Sequence, residues 1–211
     1  MNMRYPMMIV VALASVFGVA AAGGAEPMKV GPQIQVSPQP PDARSQWSPH
    51  VAFDPSTLRS DSGQAGSGQA GSGTYLVVWQ QGRDLYETET SDIYAVRVST
   101  DPSTLRSDSG QAGSGQVVKV LDAKPIAVCT AAESQFAPAV DYADGVFLVS
   151  WSDFRNGKDF DIYAARVSAD GKVLDPDGFL VAGGAHNQYG PAVAQGDKGF
   201  LIAWQDFRDN K

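Results

Sequence analysis

Carboxylate and guanidinium side chains follow the tryptophans of this sequence at fixed spacings. Asp153 and Arg155 follow one tryptophan, and Asp206 and Arg208 follow another at the same distances. Paired carboxylates can act as the general acid and base of glycoside hydrolysis, and arginines bind carboxylate or phosphate groups. These residues are therefore candidates either for such chemistry or for holding a polar ligand.

Their repetition favours a structural role over a catalytic one. A residue that every copy of a motif carries is explained most simply by a contact that every copy makes, here between the carboxylate, the arginine and the backbone of one loop. We therefore predict no catalytic residue. Ligand contacts are expected at one end of the fold, among Gln81, Arg83, Asp84, Glu87, Asp153, Arg155, Asp159, Asp206 and Arg208.

Metal binding has weak support in the sequence. Asp153, Asn156, Asp159 and Asp161 could offer oxygens to Ca²⁺, but their spacing differs from the Asp-x-Asp-x-Asp-Gly pattern of calcium loops. A solvated acidic loop is the preferred interpretation, so no metal site and no cofactor are predicted, with calcium kept as an alternative. Cys129 is the only cysteine and has no His/Asn pattern around it, which predicts a small buried apolar residue.

The elements that carry these residues belong to a repeat. The motif Gln, aromatic, small residue, Pro, any residue, Val starts at Gln46, Gln135 and Gln188, and each copy precedes an apolar run that ends in tryptophan. The second and third copies are 53 residues apart. A period of this length with short β-branched runs is typical of a β-propeller blade, so the predicted fold is all-β, with four-stranded antiparallel repeats.

Alternation of apolar and polar residues locates the four strands of the second repeat. They are predicted at residues 137–142, 146–151, 161–168 and 172–181. The fourth is expected to break at Pro176. Asp-Gly pairs at 144–145 and 170–171 predict tight turns between neighbouring strands, because these residues accept positive φ. The recurrent Trp and Tyr side chains are expected in the core between repeats.

One string resembles a known family. Trp-Ser-Asp-Phe-Arg at 151–155, followed by Asp-Ile-Tyr-Ala-Ala-Arg-Val-Ser-Ala-Asp-Gly at 161–171, is similar to the repeats of TolB-like and related bacterial extracytoplasmic propellers. The resemblance extends over about residues 30 to 211. It implies a propeller fold and leaves the function open, because such propellers do many jobs.

The predicted domain organisation is a signal peptide at 1–25 and a partial propeller at 26–211. The propeller comprises a leading strand at 30–37, a first blade at 46–121, a second at 135–182 and half of a third at 188–211. The first blade contains two inserts, at 54–73 and 101–115, which share a duplicated Gly/Ser-rich sequence and are expected at hairpin tips. Such a ring is incomplete, which predicts a C-terminally truncated fragment, with assembly with other copies as the alternative.

Composition narrows the functional classes. The formal net charge is −7, which disfavours a general nucleic-acid binder. Arg4, the apolar run at 7–22 and the small residues after it predict export to the periplasm or the cell exterior, with no membrane insertion once this segment is removed.

Three hypotheses follow. The first is an exported, non-catalytic propeller that binds a protein or carbohydrate partner through loops on one face. The second is a propeller-fold glycoside hydrolase or lyase, sialidase-like, with carboxylates converging on the central channel. The third is a structural repeat protein of the envelope or of adhesion.

Overall fold

The described part of the chain is built from β-strands. The structure is a computed structural model that describes residues 10–15, 29–36, 45–55, 73–82, 90–100, 118–197 and 199–208. Its strands are β1 (Val10–Ser15), β2 (Lys29–Gln35), β3 (Ser45–Asp54), β4 (Thr74–Gly82), β5 (Ser91–Ser99), β6 (Lys119–Val120), β7 (Ile126–Cys129), β8 (Gln135–Ala143), β9 (Val146–Asp153), β10 (Asp161–Ser168), β11 (Phe179–Ala182), β12 (Gln188–Gly196) and β13 (Gly199–Asp206).

All strand pairs are antiparallel, as predicted for an all-β fold. β8 to β11 form a four-stranded sheet in the order β11-β10-β9-β8, and β3 to β6 form the sheet β3-β4-β5-β6 with β7 also paired to β5. β12 pairs with β13, and β1 pairs with β2. None of the described sheets closes on itself, and the propeller architecture stays a prediction.

The first three strands predicted for residues 137–181 are confirmed. β10 has the predicted bounds, and β8 and β9 extend one or two residues beyond theirs. The fourth strand is interrupted, because only Val173 forms a bridge, to Val167, before the chain passes Pro176 and enters β11. Proline cannot donate to the sheet ladder, which explains the break.

Both Asp-Gly pairs lie in turns with positive φ. Asp144 and Gly145 connect β8 to β9 with φ of 50° and 86°. After β10, the amide of Gly171 donates to the carbonyl of Ser168 over 2.8 Å, and Gly171 has a φ of 86°. This three-residue loop, with glycine in the left-handed region, matches the twist of the strands that it joins.

The Gln-aromatic-small-Pro motif forms a β-bulge at the start of β3, β8 and β12. The small residue has positive φ each time, 50° at Ser48, 49° at Ala137 and 62° at Gly190. The register of the neighbouring strand shifts at these places. A small side chain limits the cost of positive φ, and the proline after it occupies a position where no ladder amide is needed.

The main core lies between the two large sheets. Strand β8 packs against β3, β4 and β5, and Val140, Phe147 and Trp151 meet Leu76 and Val78 in one apolar cluster. Trp79 and Trp151 are fully buried, as predicted for the repeated tryptophans, whereas Trp204 is only partly buried. The next strand pair continues this stacking, because β12 packs against β8 and β9.

The segment predicted as a signal peptide includes β1, which pairs with β2 in the register Val10↔Gln35. β2 covers most of the predicted leading strand at 30–37. The signal peptide and the secreted or periplasmic location stay predictions. The structure contains no long apolar helix of the kind that crosses a bilayer within the residues it describes.

Candidate functional site

Three connections meet at one end of the sheets, which we call the candidate end. These are residues 130–134, 154–160 and 183–187, which join β7 to β8, β9 to β10 and β11 to β12. Consecutive antiparallel strands place alternate connections at the same end of a sheet. The strand ends that flank the two inserts lie at the opposite end, since Asp54 pairs with Thr74 and Ser99 pairs with Lys119. Residues 56–72 and 101–115 themselves lie outside the described part.

Asp153 ends β9 at the candidate end and is fully buried. Residues two apart in a strand share a face, so its carboxylate reaches the indole of Trp151, whose Nε1 donates to Oδ2 over 2.7 Å. Arg155 donates to the same carboxylate from Nε (2.9 Å), from Nη2 (2.6 Å) and from its backbone amide (2.9 Å). The carboxylate thus joins the strand to the loop after it.

Arg155 is held by further groups. Its Nη2 donates to the carbonyl of Asp177 over 2.7 Å, and its guanidinium lies 3.9 Å above the ring of Tyr163. Burial acts to lower the pKa of Arg155, but the hydrogen bonds and charge of Asp153 outweigh it, so this pKa is raised. Arg155 therefore stays charged and links the end of β9, through Asp153, to the segment that contains Asp177.

The same arrangement recurs after the third tryptophan in more exposed form. The indole of Trp204 donates to Asp206 over 3.4 Å, and Arg208 donates to Asp206 from its side chain and from its backbone amide. The hydrogen bonds from Arg208 hold the pKa of Asp206 well below its ordinary value. The predicted pairing of carboxylate, arginine and loop backbone is therefore present in both places.

Gln81 occupies the corresponding position in the first sheet. Its Oε1 accepts from Nε1 of Trp79 and from Nε2 of Gln46, each over 3.3 Å. An amide here keeps the bond to the tryptophan without a charge. Arg83, Asp84 and Glu87, which were also predicted to contact a ligand, lie outside the described residues.

Three buried glutamines support the candidate end and were not predicted as site residues. Gln135 donates to the carbonyls of Ala131, Ala132 and Glu133 over 3.1 to 3.4 Å, and Gln188 donates to the carbonyl of His186 over 3.2 Å. Gln46, Gln135 and Gln188 open the repeated motif, which was the available signal. Gln135 and Gln188 fix the connections that lead into β8 and β12.

The loop at 154–160 organises its own polar groups. Asn156 Oδ1 accepts from the amides of Lys158 and Asp159 over 2.7 and 2.9 Å, and its Nδ2 donates to Asp161 over 2.9 Å. Lys158 Nζ lies 3.6 Å from a carboxylate oxygen of Asp159. The residues considered for calcium are thus hydrogen bonded to protein groups, and no cluster of three or more His, Cys, Asp or Glu suited to a metal occurs in the described ranges.

An aromatic cluster at the candidate end was missed by sequence reasoning. The ring centroid of Phe160 lies 4.9 Å from that of Phe154 and 5.5 Å from those of Phe136 and Tyr189. All four side chains are partly exposed. Phe136 and Tyr189 are the aromatic residues of the repeated motif, but their meeting with the 154–160 loop depends on how the sheets stack. Two of its rings, Phe154 and Phe160, belong to the same loop as Asn156 and Asp159.

Two further ion pairs join β5 and β10 to the segments that follow them, away from the candidate end. Arg97 donates to Asp122 (2.6 Å from Nη2), and Arg166 donates to Asp175 in the same manner (2.8 Å). Hydrogen bonding to Arg166 lowers the pKa of Asp175. The sequence carries a signal for these carboxylates, since Lys-Val-Leu-Asp occurs at 119–122 and again at 172–175, one period of 53 residues later.

Cys129 is buried, as predicted, and burial raises the pKa of its thiol to about 11. Its Sγ lies 3.5 Å from Nη2 of Arg155 and 3.7 Å from the carbonyl of Asp177. A protonated thiol without access to solvent is a poor nucleophile.

No protein-family model, curated protein or solved structure matches this chain.

Proposed function

We propose that the chain is an exported, non-catalytic repeat protein of β-propeller type that binds a carbohydrate or protein partner through the candidate end. The observation that carries the binding proposal is the partly exposed aromatic cluster beside the hydrogen-bonding loop at 154–160. Carbohydrates combine apolar C–H faces with hydroxyl groups, so a ring surface flanked by amide and carboxylate groups favours a carbohydrate ligand.

The propeller proposal is supported by strand order and stacking. The four strands β8 to β11 pair in chain order, and β12 follows on the face of β8 and β9. Sheets of four consecutive antiparallel strands, stacked face to face, are the units of a propeller. The period of 53 residues agrees with one such unit.

The non-catalytic proposal is supported by the partners of the carboxylates. The two oxygens of Asp153 accept hydrogen bonds from Trp151 and Arg155, and Asp206 has the same two types of partner. A general acid needs a proton to give and access to the substrate. Two carboxylates held alike in neighbouring repeats are instead suited to scaffolding.

The proposal is tested by binding of the purified chain to a panel of neutral and acidic oligosaccharides, followed by titration of those retained. Phe154→Ala is expected to weaken binding at least about tenfold, because aromatic contacts dominate such surfaces. Phe179→Ala is the matched control, since Phe179 is an exposed phenylalanine on β11 outside the aromatic cluster. Its affinity should equal that of the unmodified chain.

If the chain binds no sugar of the panel, the proposed carbohydrate ligand is excluded. Equal affinities of the two variants would exclude the aromatic cluster as the binding surface. Release of sugar products from the panel, abolished by Asp153→Asn, would overturn the non-catalytic proposal in favour of a glycosidase or lyase.

A further inference from the structure

The loop at 154–160 contains the only Asn-Gly pair of the sequence, Asn156 and Gly157. An asparagine followed by glycine can lose its side-chain amide, because no side chain hinders attack of the glycine backbone nitrogen on Cγ. Both residues are exposed. A Cβ built on Gly157 would have no atom beyond its chain neighbours within 4 Å, so the space beside the pair is open to water.

The hydrogen bonds around Asn156 suit this reaction. Its Oδ1 accepts from the amides of Lys158 and Asp159 over 2.7 and 2.9 Å. Negative charge develops on this oxygen when the nitrogen adds to Cγ, and two backbone donors already aimed at the oxygen stabilise that charge. The opposing contact is the hydrogen bond from the amide of Gly157 to the carbonyl of Phe154 over 2.8 Å. The reaction therefore requires the opening of one exposed turn.

Asn187 provides a comparison at the same end of the sheets. It is exposed like Asn156, and its Oδ1 accepts from the amide of Phe160 over 3.0 Å. The residue after it is Gln188, whose side chain is buried and whose amide donates to the carbonyl of Phe160 over 2.7 Å. The nitrogen that would attack Asn187 is thus hindered by a side chain and held at the start of β12.

Loss of the amide would change the contact between Asn156 and Asp161. Nδ2 of Asn156 donates to Oδ2 of Asp161 over 2.9 Å, which ties the loop to the first residue of β10. A carboxylate in place of the amide has no proton to donate at neutral pH. The hydrogen bond would therefore become a repulsion between two carboxylates.

We propose that Asn156 is a site of spontaneous deamidation and that its product loosens the loop at 154–160 by repelling Asp161. The nitrogen of Gly157 gives its proton to hydroxide and forms a bond to Cγ of Asn156. The Cγ–Nδ2 bond then breaks, and Nδ2 leaves as ammonia with a proton from water. Water opens the resulting cyclic imide at either carbonyl carbon, which leaves aspartate or isoaspartate at position 156.

Peptide mapping by mass spectrometry, after incubation of the folded chain in mildly alkaline buffer, tests the site. Asn156 should convert at least about tenfold faster than Asn187, because only Asn156 precedes an unhindered glycine nitrogen. Asn156→Gln should abolish the conversion at this position, since the longer side chain would have to close a larger ring. Equal rates at Asn156 and Asn187, or no conversion of Asn156, would overturn the proposal.

Amide hydrogen exchange of residues 156–160 tests the consequence. Asn156→Asp supplies one of the two products and should exchange at least about twofold faster, because the two carboxylates repel. Adding Asp161→Asn restores a donor beside an acceptor and should return the exchange to the rate of the unmodified chain.

Asn187→Asp is the matched control, since it adds the same charge and its carboxylate can still accept from the amide of Phe160. Its exchange over residues 156–160 should equal that of the unmodified chain. Unchanged exchange in Asn156→Asp, or no recovery when Asp161→Asn is added, would overturn the role of Asp161.

Discussion

The indole Nε1 of Trp151 lies 2.7 Å from Oδ2 of Asp153, and both side chains are fully buried. The hydrogen bond joins the core between the sheets to the candidate end, because the same carboxylate also holds Arg155. Because this carboxylate is buried and paired with Arg155, the loss of its charge should lower the stability of the fold.

Asp153→Asn is therefore expected to lower the free energy of unfolding by about 2 to 3 kcal/mol, since Arg155 loses its anionic partner. Urea titration at neutral pH measures the change. Asp206→Asn serves as the control because Asp206 is exposed, and its loss should be smaller. Equal losses in the two variants would contradict the importance of burial.

The bulge at Ala137 predicts that the stability of the chain depends on the shape of the side chain at this position. Ala137 has a φ of 49°, which β-branched residues adopt poorly, so Ala137→Val should cost about 1 to 3 kcal/mol of stability. Ala137→Gly should leave stability nearly unchanged, because glycine accepts this φ. Thermal unfolding of both variants provides the comparison, and a valine variant as stable as the glycine variant would argue against a strained bulge.

The close packing of Gly178 against Trp151 predicts that a side chain at this position lowers stability. It has a φ of 75°, and a Cβ built there would lie 2.5 Å from Cη2 of the Trp151 ring. Gly145 has a φ of 86° with no atom near such a Cβ, so it is a control for backbone strain alone. We expect Gly178→Ala to lower the melting temperature more than Gly145→Ala, and the reverse order would show that the tryptophan moves aside.

Stability should fall in acid through Asp175. The pKa of Asp175 is lower in the folded chain than in the unfolded one, so its contribution is complete above the ordinary carboxyl pKa of about 4 and is lost as the pH falls toward the folded value. Arg166→Gln should reduce the difference in unfolding free energy between pH 7 and pH 3. Lys124→Gln removes an equal charge at an exposed position elsewhere on the surface and should leave this difference as in the unmodified chain, which urea titrations at both pH values will show.

Cys129 should be inert to thiol reagents in the folded chain. Burial raises the pKa of its thiol to about 11, so at pH 8 the native chain holds little thiolate and little exposed sulfur. Reaction with an aromatic disulfide reagent is expected to be at least about a hundredfold slower than in urea. Equal rates in the two solvents would show that the thiol is accessible.

The amino-acid sequence was sufficient for the local structure. The strands from 137 to 168, the Asp-Gly turns and the break at Pro176 follow from alternation and turn chemistry, which act between residues close in the chain. The burial of Trp79 and Trp151 also followed, because each ends an apolar run of the repeat.

The tertiary structure alone decided which residues meet and which are exposed. Asp153 and Asp206 stand in the same motif, yet only the first is buried, because strands β10 and β11 complete its sheet. Arg97 hydrogen bonds to Asp122, which lies beyond the second insert in the chain. Phe160 contacts Tyr189 because β12 stacks on β8 and β9. Contacts of this kind depend on sheet stacking between segments far apart in the chain, which local periodicity does not encode.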